Sequence, residues 1–405
     1  MKKISTKLGL YILFVFFGQF HLFGQSDLKK NKLPDWQPGY LDIHQIATGR
    51  GNAALWILPD ATTMVVDVGD LGDTSNFSYP IMPLLPNKSK TVDEWIIRYI
   101  NHFTASLGKK NEVDYMFLTH HHDDHDGAFE RVSESMKISR LVDRSWPSYD
   151  YPSRVHIAKA RPNLDNYIDA VKRVASNGTK VSAFHPGRKQ FKLLNQPNRY
   201  RHFEIRNISG SGKIWTGKGT KVRNLFPELH TINENDYPDE NMVSSTLLVQ
   251  YGKFRYFAGA DITGLTWAEA PYNRDVETPV GNIVGLVDVA LMNHHGYSDS
   301  HNRNYLASLQ PRVFVNPVWD FFHPQPEILS RILDQEIFPG ERLIFATGMV
   351  AGNVERLGKL AENIHKGHIV LRVYPEGEKY QIFVLDSSSL DYPVIYQTQI
   401  LKAGR

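Results

Sequence analysis

The sequence predicts a mixed α/β protein with two sheet-rich halves. Three observations carry that expectation. Short apolar runs bounded by turn residues recur in both halves, stretches with helical spacing separate some of them, and a tract of His and Asp closes one run. At 405 residues, with 41% hydrophobic and 12% aromatic content, the chain can bury a sizeable core, which excludes disorder over most of it. No repeat, low-complexity tract or Gly/Ser-rich linker divides it, so one elaborated domain over residues 33–400 is the simplest organisation.

The first 25 residues stand apart. Lys2, Lys3 and Lys7 precede a nearly uncharged apolar run over 8–23, and Gly24, Gln25 and Ser26 follow, which is the order of a secretory signal peptide. An uncleaved anchor helix is the competing reading, but the run falls short of the ~20 residues a bilayer requires. Lys and Arg number 46 against 43 Asp and Glu; losing residues 1–25 removes three Lys and no acid, leaving 43 against 43. A neutral mature chain has no global pull toward nucleic acid or anionic membrane. The expectation is a secreted or periplasmic protein with no membrane span after cleavage and no stable nucleic-acid partner. Without cysteine there is no disulfide framework, no lipid-attachment residue and no thiolate ligand, so any metal must be held by His, Asp, Glu or Asn.

The runs 53–58 and 63–68 flank the turn Pro59-Asp60 as a hairpin, and residues 91–103 carry Val92, Trp95, Ile96, Tyr99 and Ile100 at helical spacing behind Thr91 as a cap. The apolar run 113–118 reads as a buried strand that ends directly in Thr119-His120-His121-His122-Asp123-Asp124-His125-Asp126-Gly127. Residues 134–206, broken by Pro147, Pro152, Pro162 and Pro186, read as an insertion. Strands return at 245–251, 255–260, 287–292, 312–315, 342–346, 368–374 and 380–385, with a helix at 325–333.

His120, His122, Asp124 and His125 place imidazoles and a carboxylate on one tight turn, a donor set suited to zinc and similar ions. On an extended backbone His120 and His122 point the same way, toward one ion, while Asp124 and His125 serve a second. A solvated His/Asp tract is the alternative, and the apolar strand before it argues against that.

This His-x-His-x-Asp-His turn resembles the signature of the metallo-β-lactamase superfamily. The resemblance implies an αββα sandwich, two mixed β-sheets flanked by helices, and a hydrolase that uses two divalent ions, zinc first among them. It implies that Asp67, in the Asp-x-Gly that ends at Gly69, supports the metal turn, and that Asp261 bridges the two ions. His294-His295-Gly296 would supply the last ligand; His294 is favoured because it stands nearer the strand end, with His295 the alternative. The third His of the first ion is where the match weakens. His185, His202 and His230 are candidates, but Asn241, leading into the run Ser244-Ser245-Thr246, resembles the Asn-containing loop of the subgroup typified by the hydrolase domain of the DNA-uptake channel ComEC. Ser298 and Ser300, then 313–316 and His323-Pro324, are similar to that subgroup too, and phosphorylcholine esterases share the general layout. His323 is equally explained by a core or capping role. Asp124 would orient the attacking water as well as ligate.

Fifteen Lys or Arg against five acids lie between Lys137 and Arg206, interleaved with aromatic residues. Arg144, Trp146, Tyr149 and Tyr151 are the expected substrate contacts of this segment, facing a small-molecule or anionic substrate; a solvated basic face is the alternative. Three functions follow: phosphoester or phosphodiester hydrolysis, hydrolysis of a lactam, lactone or other carboxyl derivative, and an inactive metal-binding accessory role.

Overall fold

The computed structural model describes residues 32–75, 77–265 and 270–404, so the expected signal peptide lies outside the described residues. Among those described, no helix is long and apolar enough to cross a membrane.

Two large mixed sheets carry the chain. The first has ten strands, in the order Val394–Gln397, Lys379–Leu385, His368–Val373, Leu41–Gln45, Ala53–Ile57, Thr63–Val68, Glu112–Leu118, Lys137–Asp143 and Lys180–Ala183, with Leu401–Lys402 paired beside Lys379–Leu385. The second has seven, running Ile364–Lys366, Leu343–Ala346, Val313–Asn316, Val289–Leu291, Phe254–Ala258, Leu247–Tyr251 and Phe203–Asn207.

Side-chain alternation explains how the sheets stack, since successive residues of a strand face opposite sides. Ala54 and Trp56 join Met64, Val66 and Phe117 in an apolar layer shared with Val249, Tyr256, Leu291, Val315 and Phe345 of the second sheet. Their neighbours Leu55, Ile57, Val65 and Met116 face the other way, against Ile96 and Ile100 of helix Val92–Thr104 and Val171 of helix Leu164–Ser176. On the far side Phe257, Ala290 and Phe314 pack against Val280, Leu306 and Ile328 from three further helices. The layers are therefore helix, sheet, sheet, helix: the αββα sandwich that the resemblance implies.

Local chemistry agrees with these boundaries. Helix Val92–Thr104 starts where the Glu94 carboxylate accepts the Thr91 backbone N–H at 2.9 Å, a reciprocal capping arrangement. Residues 134–206, expected as an insertion, contribute strands to both large sheets. Strands Lys137–Asp143 and Lys180–Ala183 extend the first sheet in parallel beyond Glu112–Leu118, and Phe203–Asn207 edges the second. The prolines that break the segment fall between these strands, so composition there hides a continuous sheet.

Across the first sheet from the metal turn, the Arg372 guanidinium donates to both Asp42 carboxylate oxygens at 2.8 and 2.6 Å, and both residues are buried. Burial alone would raise the Asp42 carboxyl, but Arg372 holds it below the ordinary carboxylate value. Arg372→Met should leave that carboxylate without its cation and lower unfolding free energy by about 3–5 kcal/mol in urea titrations. Because the folded pKa is depressed, the Asp42 contribution to wild-type stability is present above the unfolded value near 3.8 and disappears as pH falls through the folded one.

Candidate metal centre

Strand Thr63–Val68 ends at Asp67, whose backbone is left-handed at φ 57°. Its carboxylate accepts the Thr119 N–H and hydroxyl at 2.8 Å each, the Asn52 amide at 2.8 Å and Nδ1 of His125 at 2.7 Å. With Nδ1 committed as a donor, the His125 Nε2 lone pair is free to ligate. Gly69 is explained by crowding: a Cβ there would lie 2.0 Å from the Asp124 carbonyl oxygen, which itself accepts the Asn52 N–H at 2.7 Å. The Asp-x-Gly step thus both supports the metal turn and lets it approach.

Four ligand atoms, one each from Asp124, His125, Asp261 and His295, lie within 4.8 Å of one another, all on buried residues. His125 Nε2 is 3.2 Å from Asp261 Oδ1 and 3.3 Å from His295 Nε2. His295 Nε2 is 3.1 Å from Asp124 Oδ2 and 3.4 Å from Asp261 Oδ2. Ligands about 2.0–2.2 Å from a shared tetrahedral zinc would stand about 3.3–3.6 Å apart, so these residues fit such an ion. His295 Nδ1 donates to the Pro317 carbonyl at 2.6 Å, which leaves its Nε2 for the metal.

His120 Nε2 lies 3.1 Å from His122 Nδ1 and 3.8 Å from Asp261 Oδ2, so Asp261 stands between this pair and the four-residue cluster. His121, on the opposite side of the extended backbone, is buried against Asp126 at 2.9 Å and is no part of the group.

Of the double-His motif, in which the sequence favours His294 with His295 the alternative, His295 is the residue that enters the four-residue cluster. Nearness to the strand end is a poor guide, because both residues are left-handed, at φ 42° and 51°, and their rings diverge with centroids 6.4 Å apart. His294 instead meets Asn241, Nε2 to Nδ2 at 3.1 Å, and its Nδ1 bonds Asp299 at 2.6 Å. Asn241 Oδ1 is buried without a hydrogen-bond partner. His185, His202 and His230 are exposed. The turn Asn293–Gly296 is held by Glu277, a fully buried carboxyl accepting the Asn293 amide at 2.7 Å and the His301 and Asn302 N–H groups at 2.6 and 2.7 Å. Burial pushes it up to about 8.

Of the expected substrate contacts Arg144, Trp146, Tyr149 and Tyr151, Arg144 and Tyr149 are buried. Arg144 is buried, its Nε and Nη2 each 2.8 Å from the Glu240 carboxylate, which in turn accepts the His121 N–H at 2.8 Å. Tyr149 is buried with its hydroxyl on Asp143 at 2.9 Å, while Trp146 and Tyr151 pack against helix-side cores. Arg161 donates to Asp126 at 2.6 Å, Asp123 at 2.8 Å and Glu130 at 2.8 Å. Arg144 and Arg161 therefore brace the metal turn. A cation count cannot separate these two roles, because the pairing acids lie in other segments.

Sequence reasoning missed Trp319, whose Nε1–H donates to Asp124 Oδ2 at 2.8 Å, and Glu277; neither carries a motif. His323 stacks on His295 with centroids 4.6 Å apart, a packing role beside the cluster.

Burial opposes charge on His295, but Asp261 and Asp124 outweigh it and push the imidazole up to about 9. The same carboxylates push the His125 imidazole up as well, so an incoming ion has to displace protons from these rings. Metal affinity should rise with pH toward 9, with proton release seen as a buffer-dependent binding enthalpy. Asp67→Ala should weaken metal retention about 10–100-fold in chelator competition by freeing His125. Glu277→Gln, which turns an amide N–H toward a donor, should cost about 1–3 kcal/mol in thermal or urea unfolding.

No family model and no curated protein matches the chain. Among solved structures it is similar to the metallo-beta-lactamase fold protein YhfI from Bacillus subtilis, at 11% identity over 82% of this chain and 99% of that one, with a TM-score of 0.37. It is similar also to Tm1679, a metal-dependent hydrolase of the beta-lactamase superfamily, at 10% identity over 76% and 97% of the chains, TM-score 0.36. A diphosphatase from the PhnP family follows, at 8% over 82% and 96%, TM-score 0.34. These likenesses are of outline only; the four layers and the ligand geometry define what this chain is, an αββα sandwich with a buried candidate metal cluster at its strand ends.

Proposed function

We propose that the protein is an exported metallo-hydrolase that holds two divalent ions, zinc first among them, and cleaves phosphoesters or phosphodiesters. The observation that carries the hydrolase reading is the convergence of Asp124, His125, Asp261 and His295 at strand ends, with outward nitrogens oriented by Asp67 and Pro317. Bound ions would supply Lewis acidity and an acidified water.

The chain's own residues define the rest. Asp261 presents one carboxylate oxygen to His125 and the other to His295 and His120, the position of a bridge between two sites. Asp124, held through Oδ2 by Trp319 and His295, would orient the water. Asn241 would be a supplementary donor for the ion held by His120 and His122, which its unpartnered Oδ1 supports, and His294, bonded to the Asn241 amide and to Asp299, would orient it. The Asn at this place also supports the ComEC-like subgroup, and with it the phosphoester class. Lys2, Lys3 and Lys7 before the apolar run support export.

Elemental analysis of untagged protein should give two ions per chain in the wild type and about one in His295→Ala, with His120→Ala losing the other. In a panel of nitrophenyl phosphoesters and a lactam reporter, a phosphodiester should be the faster substrate. A lactam turned over faster than every phosphoester would move the substrate class, and full-length protein that binds no ion would end the hydrolase reading.

A further inference from the structure

Beside the cluster lies a group of half-buried aromatic side chains, of which only Trp319 has a part in the reaction proposed above. Phe77 and Tyr79 come from the segment after the Asp67 strand, Tyr297 from the double-His turn, and Trp319 and Phe322 from the loop after strand Val313–Asn316. They touch edge to face: Phe77 to Trp319 at 5.9 Å, Tyr79 to Phe322 at 5.2 Å and Tyr297 to Phe322 at 6.2 Å between centroids. The two outer segments are fastened together, since the Met82 N–H donates to the Trp319 carbonyl at 2.7 Å and Ile81 bridges to Asp320.

This wall is continuous with the metal ligands. Trp319 bonds Asp124, and its ring lies 6.2 Å from His295, while the Tyr297 ring lies 5.2 Å from that of His294. A patch of partly exposed aromatic surface at such a place calls for an apolar partner. Its polar neighbour is the Asp320 carboxylate, which already accepts the Phe322 N–H at 2.7 Å, and the nearby Arg356 guanidinium is stacked on Phe321 and Phe322 at 5.0 and 5.2 Å. An anionic group on this side would meet the Asp320 carboxylate as well as the ring-stacked Arg356, whereas a flat apolar group would meet ring faces and edges.

We propose that Phe77, Tyr79, Tyr297, Trp319 and Phe322 form the substrate wall, and that it selects substrates carrying a planar apolar group next to the reacting centre. The inference rests on the hydrolase reading for the nature of that centre. It replaces the basic segment 137–206 as the source of specificity.

The test uses two non-hydrolysable ligands, phenylphosphonate and methylphosphonate, titrated calorimetrically into the metal-loaded full chain. Phenylphosphonate should bind about three- to tenfold more tightly. Phe77→Ala/Tyr79→Ala should erase that preference and Tyr79→Phe should keep it, with metal content and thermal unfolding measured alongside to establish that each variant is folded. Equal affinities in the wild type, failure of both ligands to bind, a preference that survives the double variant, or tighter binding of a trimethylammonium-bearing phosphonate would each overturn the wall as proposed. If the ring preference and its loss appear while no ester is hydrolysed, the wall stands and the hydrolase reading falls. If esters are hydrolysed but the two phosphonates bind alike, the wall alone falls.

Discussion

The four hydrogen bonds converging on the Asp67 carboxylate set the geometry on which the candidate centre depends. They join the end of one strand to Thr119 at the end of its parallel neighbour, to Asn52 in the hairpin before it and to the His125 ring. A buried carboxylate must be matched by donors, and here each donor belongs to a segment that positions a ligand. The left-handed backbone at Asp67 and the missing side chain at Gly69 are local consequences: the first places the carboxylate among these donors, and the second admits the Asp124 backbone. Such a residue touches no reacting group, yet it fixes which nitrogen of His125 faces the cluster.

A second tier of charge lies beneath the turn. Arg161 spans Asp123, Asp126 and Glu130, and Arg144 closes on Glu240, whose other contact is the His121 backbone. Burying these ions costs desolvation, and paired groups of this kind add little net stability over an apolar core. Their effect is geometric: each donor and acceptor has one partner arrangement, so the short helix Asp123–Asp126 is held at both ends. The same logic governs the opposite side of the cluster, where Glu277 holds the left-handed turn that turns His295 inward.

Much of this was legible in the chain itself. Apolar runs of four to seven residues marked ten of the seventeen strands in the two large sheets to within a residue or two, because a strand buried on both faces has few polar positions. The turn 120–125 was legible because its spacing is local: His120 and His122 lie two apart on extended backbone, and Asp124 and His125 follow within the next helical turn. The segment 134–206 was not, since its strands Lys137–Asp143 and Lys180–Ala183 carry charged and polar residues at half-buried positions and sit among prolines. Its Lys and Arg count suggested a binding face, but whether a cation meets solvent or a buried acid depends on partners 31 to 96 residues away.

By itself, then, the sequence determined the alternation that makes two sheets and the local donor set of His120, His122, Asp124 and His125, because both depend on spacing along a few residues. Only the tertiary structure decided between His294 and His295, since backbone dihedrals of a turn held by Glu277 set the direction of each ring. It alone brought Trp319 to Asp124 across 195 residues and gathered Phe77, Tyr79 and Tyr297 beside them. Contacts between segments far apart in the chain are made by packing, and no local pattern in a single sequence records which segments will meet.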